Sequence, residues 1–185
     1  PGIGGAVVIA SSKANIHRST FIDNSAAGFG GAIAVDDSPI GLDNNTFERN
    51  GANVGGGIYM ARNPEESVWT NNVWSNNRAF GFQEGFAIKA AAIYITQSGP
   101  LTVLHNTFVH SLSTDAAAIV ADNQPENTEL LVRNSIFVNY GNSISSRYPL
   151  TNPVFAQQNL FHNSPLIGEG FVDDPRFVDA NNGDY

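Results

Sequence analysis

Apolar side chains return along this chain at a nearly fixed interval. Three small residues followed by an aliphatic one occur at Gly4-Gly5-Ala6-Val7, Gly30-Gly31-Ala32-Ile33, Gly55-Gly56-Gly57-Ile58, Ala90-Ala91-Ala92-Ile93 and Ala116-Ala117-Ala118-Ile119, with a degenerate copy at Asn142-Ser143-Ile144. The aliphatic positions 7, 33, 58, 93, 119 and 144 are spaced 26, 25, 35, 26 and 25 residues apart. An aromatic landmark keeps pace: Phe21, Phe47, Trp74, Phe108, Phe137 and Phe161 follow the aliphatic positions by 14 to 18 residues. Self-similarity at a period in this range marks a repeat architecture.

Within each unit the pattern alternates, which predicts strands rather than helices. Val7-Val8-Ile9, Ile33-Ala34-Val35, Ile58-Tyr59-Met60 and Ile93-Tyr94-Ile95 send every second side chain inward. A second short strand carries Ile16, Leu42, Trp69, Val103 and Val132, and a third carries the aromatic landmark. No segment has helical periodicity long enough for a crossover helix, so the unit cannot be a strand–helix–strand repeat. Three short strands joined by corners can form one winding of a solenoid. The expected fold is all-β: a right-handed, single-stranded parallel β-helix of about six coils of roughly 25 residues. Equivalent residues then stack at about 4.8 Å, as columns of Val/Ile, of Phe/Trp and of Asn. Asn44, Asn71 and Asn134 form one expected corner column, with His105 as its variant member. Asn45, Asn72, Asn106 and Asn159 form another, able to hydrogen-bond from coil to coil.

The GGAI-type motif followed by Phe-x-x-Asn resembles the repeat of the polymorphic outer-membrane proteins. The likeness is carried by Gly4 to Val7 with Phe21 and Asn24, by Gly30 to Ile33 with Phe47 and Asn50, and by Gly55 to Ile58 with Trp74 and Asn77. The tail, Asp174-Pro175-Arg176-Phe177-Val178-Asp179 and then Gly183-Asp184-Tyr185, resembles the closing segment of bacterial extracellular proteins in the pectate-lyase-like β-helix superfamily. The resemblance implies a bacterial-type extracellular or cell-surface location. It also implies one β-helix domain over residues 1–185 with an irregular tail over 165–185, and further protein flanking both ends. It is specific for fold and hosts several functions: adhesins that bind glycan, polysaccharide lyases and hydrolases, and scaffolds.

Composition narrows the partners. Charged residues make up 14% of the chain, against about 25% in an ordinary domain. Twenty-two asparagines, about 12% of the chain, take their place, and Asn and Gly tolerate left-handed corners. The net charge of -8 argues against nucleic acid and against an anionic membrane surface. No apolar run is long enough to span a membrane as a helix. There is no cysteine, which removes disulfide and thiol chemistry.

Candidate chemistry lies on the outward positions. Val8, Ala34, Tyr59, Tyr94, Val120 and Ser145 form one outward stripe, in which Tyr59 and Tyr94 are expected side by side as an aromatic platform for a sugar ring. Asp36, Asp122 and Arg147 stand two residues further on and complete the expected ligand-binding set. A second outward stripe runs His17, Asp43, Thr70, Leu104, Arg133, Gln157, and its His17–Asp43 pair has the chemistry of a general base but no nucleophile beside it. The long interval implies an insertion loop near residues 78–89, with Phe80, Phe82 and Phe86, folded onto the body as a flap or a groove wall. No cofactor is expected. Calcium is the one ion with oxygen ligands to offer it, at Asp36-Asp37 and between Asp179 and Asp184, without EF-hand spacing. Three functions follow: a surface β-helix binding polysaccharide or host glycan, a polysaccharide lyase or glycoside hydrolase, and a spacer without ligand.

Overall fold

The computed structural model describes residues 2–81, 89–125, 128–145 and 154–177. The first winding consists of β1 (Val7–Ala10), β2 (Ala14–His17), β3 (Thr20–Ile22) and β4 (Ser25–Phe29). The second repeats it with β5 (Ile33–Asp36), β6 (Ile40–Asp43), β7 (Thr46–Glu48) and β8 (Gly51–Val54). The third has β9 (Ile58–Ala61), β10 (Ser67–Thr70), β11 (Val73–Ser75) and β12 (Arg78–Ala79). The fourth opens with β13 (Ala90–Thr96) and β14 (Leu101–Leu104). Beyond it strand character continues through the corner after the aromatic strand, with register shifts between Val109 and Ala117 and a left-handed Asn139. β15 (Thr107–Asp122) therefore runs from the fourth winding into the fifth, and after β16 (Leu130–Arg133), β17 (Ile136–Ser145) does the same. β18 (Val154–Gln157), β19 (Asn159–His162) and β20 (Gly170–Val172) follow. No described residue lies in a helix.

Every pairing is parallel, and the register is the one the periodicity predicts. Val7, Ile33, Ile58, Ile93, Ile119 and Ile144 are successive partners, six rungs that bound five complete windings. The ladder crosses the 35-residue interval without slipping, because Ile93 pairs with Ile58. Arg78-Ala79, expected at the start of the insertion, instead pairs with Gly51-Ala52. Residues 82–88 of the expected loop lie outside the described residues. Each of the first three windings has four strands where three are expected, because Ser25–Phe29, Gly51–Val54 and Arg78–Ala79 pair as a sheet of their own.

The core fills the lumen with columns of like residues. The six aromatics stack face to face, with ring centroids 4.1 to 5.9 Å apart and planes within 10° of parallel. Each fully buried side chain contributes about 1.5–3 kcal/mol. Offset stacking adds about 0.5–1.5 kcal/mol per pair.

The corners explain the asparagines. Arg18, Asn44, Asn71, His105, Asn134 and Gln158 hold one corner with φ between 48° and 57°. His105 is thus a corner residue, as expected. The next position turns inward. Asn45 accepts from the Ser19 amide, Asn72 accepts from the Asn45 amide, Asn106 accepts from the Asn72 amide, and Asn159 accepts from the Ser135 amide. The Nδ2 groups of Asn45, Asn72, Asn106 and Asn159 donate back to carbonyls of the previous winding. These buried amides satisfy the strand ends that a sharp corner leaves open. The glycines serve close approach: a Cβ on Gly31 would lie 2.0 Å from the Gly56 carbonyl oxygen.

Candidate functional site

The outward stripe predicted on the first strand column is present residue for residue: Val8 pairs with Ala34, Ala34 with Tyr59, Tyr59 with Tyr94, Tyr94 with Val120, and Val120 with Ser145. Tyr59 and Tyr94 stack with centroids 5.7 Å apart and planes 12° from parallel. Phe29, at the end of β4, continues the row, with its centroid 4.6 Å from that of Tyr59.

The two tyrosines differ in exposure, which narrows the expected platform. Tyr94 is buried, at 5% exposure, within a second apolar cluster outside the lumen that includes Val54, Ala90, Ala117 and Val120. Its hydroxyl donates to Oδ2 of Asp122 at 2.6 Å. Asp122 is itself 6% exposed, and its Oδ1 makes no hydrogen bond. Tyr94 and Asp122 therefore brace the site from behind and offer no accessible surface. Parity along the strand gives only the direction of a side chain. The apolar neighbours at the corner decide whether water reaches it.

Tyr59 lies between the Tyr94 and Phe29 rings and keeps a half-exposed outer edge. It borders a groove of about 200 Å³ lined by Ile3, Val8, Phe29, Ala34, Asp36 and Arg62, among others. Val8 and Ile3 are half exposed. Arg62 and the Oδ2 of Asp36 form an ion pair at the groove edge, while Oδ1 of Asp36 is buried without a partner. The hydroxyl of Tyr59 makes no hydrogen bond to any described residue. Burial pushes the Tyr59 phenol above the ordinary tyrosine range, with Arg62 opposing and Asp36 reinforcing the shift. Over neutral pH it is thus a protonated donor facing the groove.

Of the expected set, Tyr59 and Asp36 share this groove and Tyr94 and Asp122 share a hydrogen bond. Asp36 and Asp122 occupy one column but are separated by Ala61 and Thr96 on the two rungs between them. Arg147 lies outside the described residues. The groove adds Phe29 and Arg62, which the sequence reading missed. Their signal was present: Ile3, Phe29 and Val54 each precede a glycine corner and pair in one column. Ser11, Asp37 and Arg62 likewise share the left-handed corner after the first strand.

His17 and Asp43 are direct partners on adjacent rungs, as expected. Asp43 accepts from Thr70 Oγ1 at 2.6 Å and from Asn71 Nδ2 at 3.1 Å. These bonds, the one from Thr70 foremost, hold its carboxyl below the usual range. The carboxylate is thus tied to the following winding rather than to the imidazole. Asp37, of the acidic doublet, accepts from Ser11 Oγ. Among the described residues no group of three or more His, Cys, Asp or Glu is placed to hold a metal ion. The run from Asp179 to Asp184 lies outside them.

Comparison with curated proteins and with solved structures gave no match. The family model described as "Right handed beta helix region" matches residues 4–174. With every described strand pairing parallel and this match over most of its length, the chain belongs to the right-handed β-helix family.

Proposed function

We propose that this β-helix is an extracellular or cell-surface module that binds glycan in the groove beside Tyr59. The observation that carries the reading is the Tyr59 phenol: a half-buried ring with an unpartnered hydroxyl, set between the Phe29 ring and the Asp36–Arg62 pair. A sugar ring presents an apolar C–H face and a rim of hydroxyls. The apolar wall of Ile3, Val8 and Phe29 suits the first. The phenol donor, the guanidinium and the carboxylate suit the second. Tyr94, locked by Asp122, fixes the Tyr59 ring from behind, so little ordering cost remains for a ligand. The resemblance of the first three repeats to those of polymorphic outer-membrane proteins supports the surface location and an adhesive role.

A glycan array probed with the whole chain, followed by titration calorimetry on the best binder, tests the reading. Binding that falls at least tenfold in Tyr59→Ala supports it. An array without binders, or affinity unchanged in Tyr59→Ala, overturns it. Release of unsaturated or reducing sugar ends from the bound polysaccharide would move the assignment to a lyase or hydrolase.

A further inference from the structure

A second cleft lies at the opposite end of β4, where the chain turns from the third to the fourth strand column. Its volume is about 250 Å³, and Asp23, Ser25, Arg49, Gly51, Arg78 and Phe80 form much of its wall. Ser25, Gly51 and Arg78 are successive rungs of one column. Glycine in the middle leaves a notch between two longer side chains. The Phe80 ring leans into that notch: a Cβ on Gly51 would come within 2.8 Å of Phe80 Cζ. Seated on Gly51, Phe80 still leaves its outer side open, at 60% exposure.

The charges in the cleft are unequal. Arg49 is engaged by Asp23 through two parallel bonds of 2.9 Å and by Glu48 beside it. Arg78 makes no ion pair or hydrogen bond through its guanidinium to any described residue. The wall thus carries two arginines and one aspartate, with Asp23 already satisfied. Asp23 and Glu48 together offset Arg49, which leaves Arg78 as the cation of the wall that no described acidic group pairs. The Ser25 hydroxyl is also free of hydrogen bonds. The amides of Asn24 and Asn50, by contrast, are used inside the corner ladder.

We propose that this cleft binds an oxyanion-bearing sugar ring, carboxylated or sulfated, with the anion on Arg78 and the C–H face of the ring against Phe80. A planar guanidinium with a free edge suits bidentate pairing to either oxyanion. The outer side of the phenyl supplies the stacking surface, and its seat on Gly51 holds the ring in place. The site is distinct from the Tyr59 groove, since the two lie at opposite ends of β4 and share no lining residue.

The test is calorimetry on the whole chain with three trisaccharides, one neutral, one of hexuronate and one sulfated, joined to mapping of the Arg78 Nε–H by NMR. One or both anionic sugars should bind and shift the Arg78 signal, while the neutral one, whether or not it binds beside Tyr59, should leave that signal unmoved. Whichever binds identifies carboxylate or sulfate as the anion. Arg78→Ala and Phe80→Ala should each weaken binding about tenfold or more, as loss of about 1.4 kcal/mol would, and Arg78→Lys should recover part of it. Both side chains are exposed, so circular dichroism should show these variants folded. Tyr59→Ala should leave this binding unchanged, which separates its failure from that of the first groove. An equal shift at Arg78 with the neutral sugar, anionic binding without a shift at Arg78, anionic binding untouched by Arg78→Ala, or no binding by either anionic sugar would overturn the assignment.

Discussion

The phenol oxygen of Tyr94 stands 2.6 Å from Oδ2 of Asp122, joining two successive windings on the outside of the solenoid. Both groups are buried, and the second carboxylate oxygen of Asp122 has no other partner. Tyr94→Phe removes the one donor that the carboxylate has. Thermal unfolding should show a loss of about 1.5–3 kcal/mol, and circular dichroism should show the β signal retained below the transition.

The aromatic column gives the largest single-residue effect. Phe47 is fully buried between Phe21 and Trp74. Phe47→Ala opens a cavity in the middle of the stack and should cost about 3–5 kcal/mol in denaturant unfolding. A negligible shift in the midpoint would remove Phe47 from the core.

These two residues also mark what could be read from the sequence. Phe47 was legible because period and chemistry agree: an aromatic returns at each winding and nothing else fits a stacked column. The inward and outward sides of Ile58-Tyr59-Met60 were legible for the same reason. The fourth strand was not. Ser25-Ala26-Ala27-Gly28 and Gly51-Ala52 are small because neighbouring backbones lie close, as the approach of Gly31 to Gly51 shows. Small residues give no alternation of apolar and polar to count. Tyr94 was placed on the correct side but not at the correct depth. Its cover comes from Val54, Ala90, Ala117 and Val120 around it, an association that no single-strand pattern encodes.

The inner asparagine ladder should be cooperative. Asn72 accepts from both the backbone and the side chain of Asn45 and donates to Asn106. Asn72→Ala leaves the buried Asn45 amide unpaired and should cost at least about 1–3 kcal/mol. Hydrogen exchange should show the loss of protection centred on Asn45, one winding away, as well as at the mutated corner.

Acid titration tests the exposed corner pair. The hydrogen bonds from Arg49, its largest influence, hold the Asp23 carboxyl below the ordinary range. A depressed carboxylate favours the folded state above the unfolded pKa of about 3.9 and loses that contribution as pH falls through the folded value. Carboxyl carbon NMR should therefore find Asp23 titrating below its usual pH, and Arg49→Gln should return it there.

The fold rests on residues one winding apart lying side by side. The chain has no cysteine, so an introduced pair reports without interference. His17 and Asp43 are direct partners on adjacent rungs, and Thr70 is the next rung of the same column. Adjacent rungs lie about 4.8 Å apart and alternate rungs about 9.6 Å, while a disulfide needs Cα atoms within about 7 Å. Mild oxidation of the His17→Cys plus Asp43→Cys variant should give an intramolecular cross-link, and His17→Cys plus Thr70→Cys should remain reduced. A failed link in the first pair, or an equal yield in both, would contradict the stacked register.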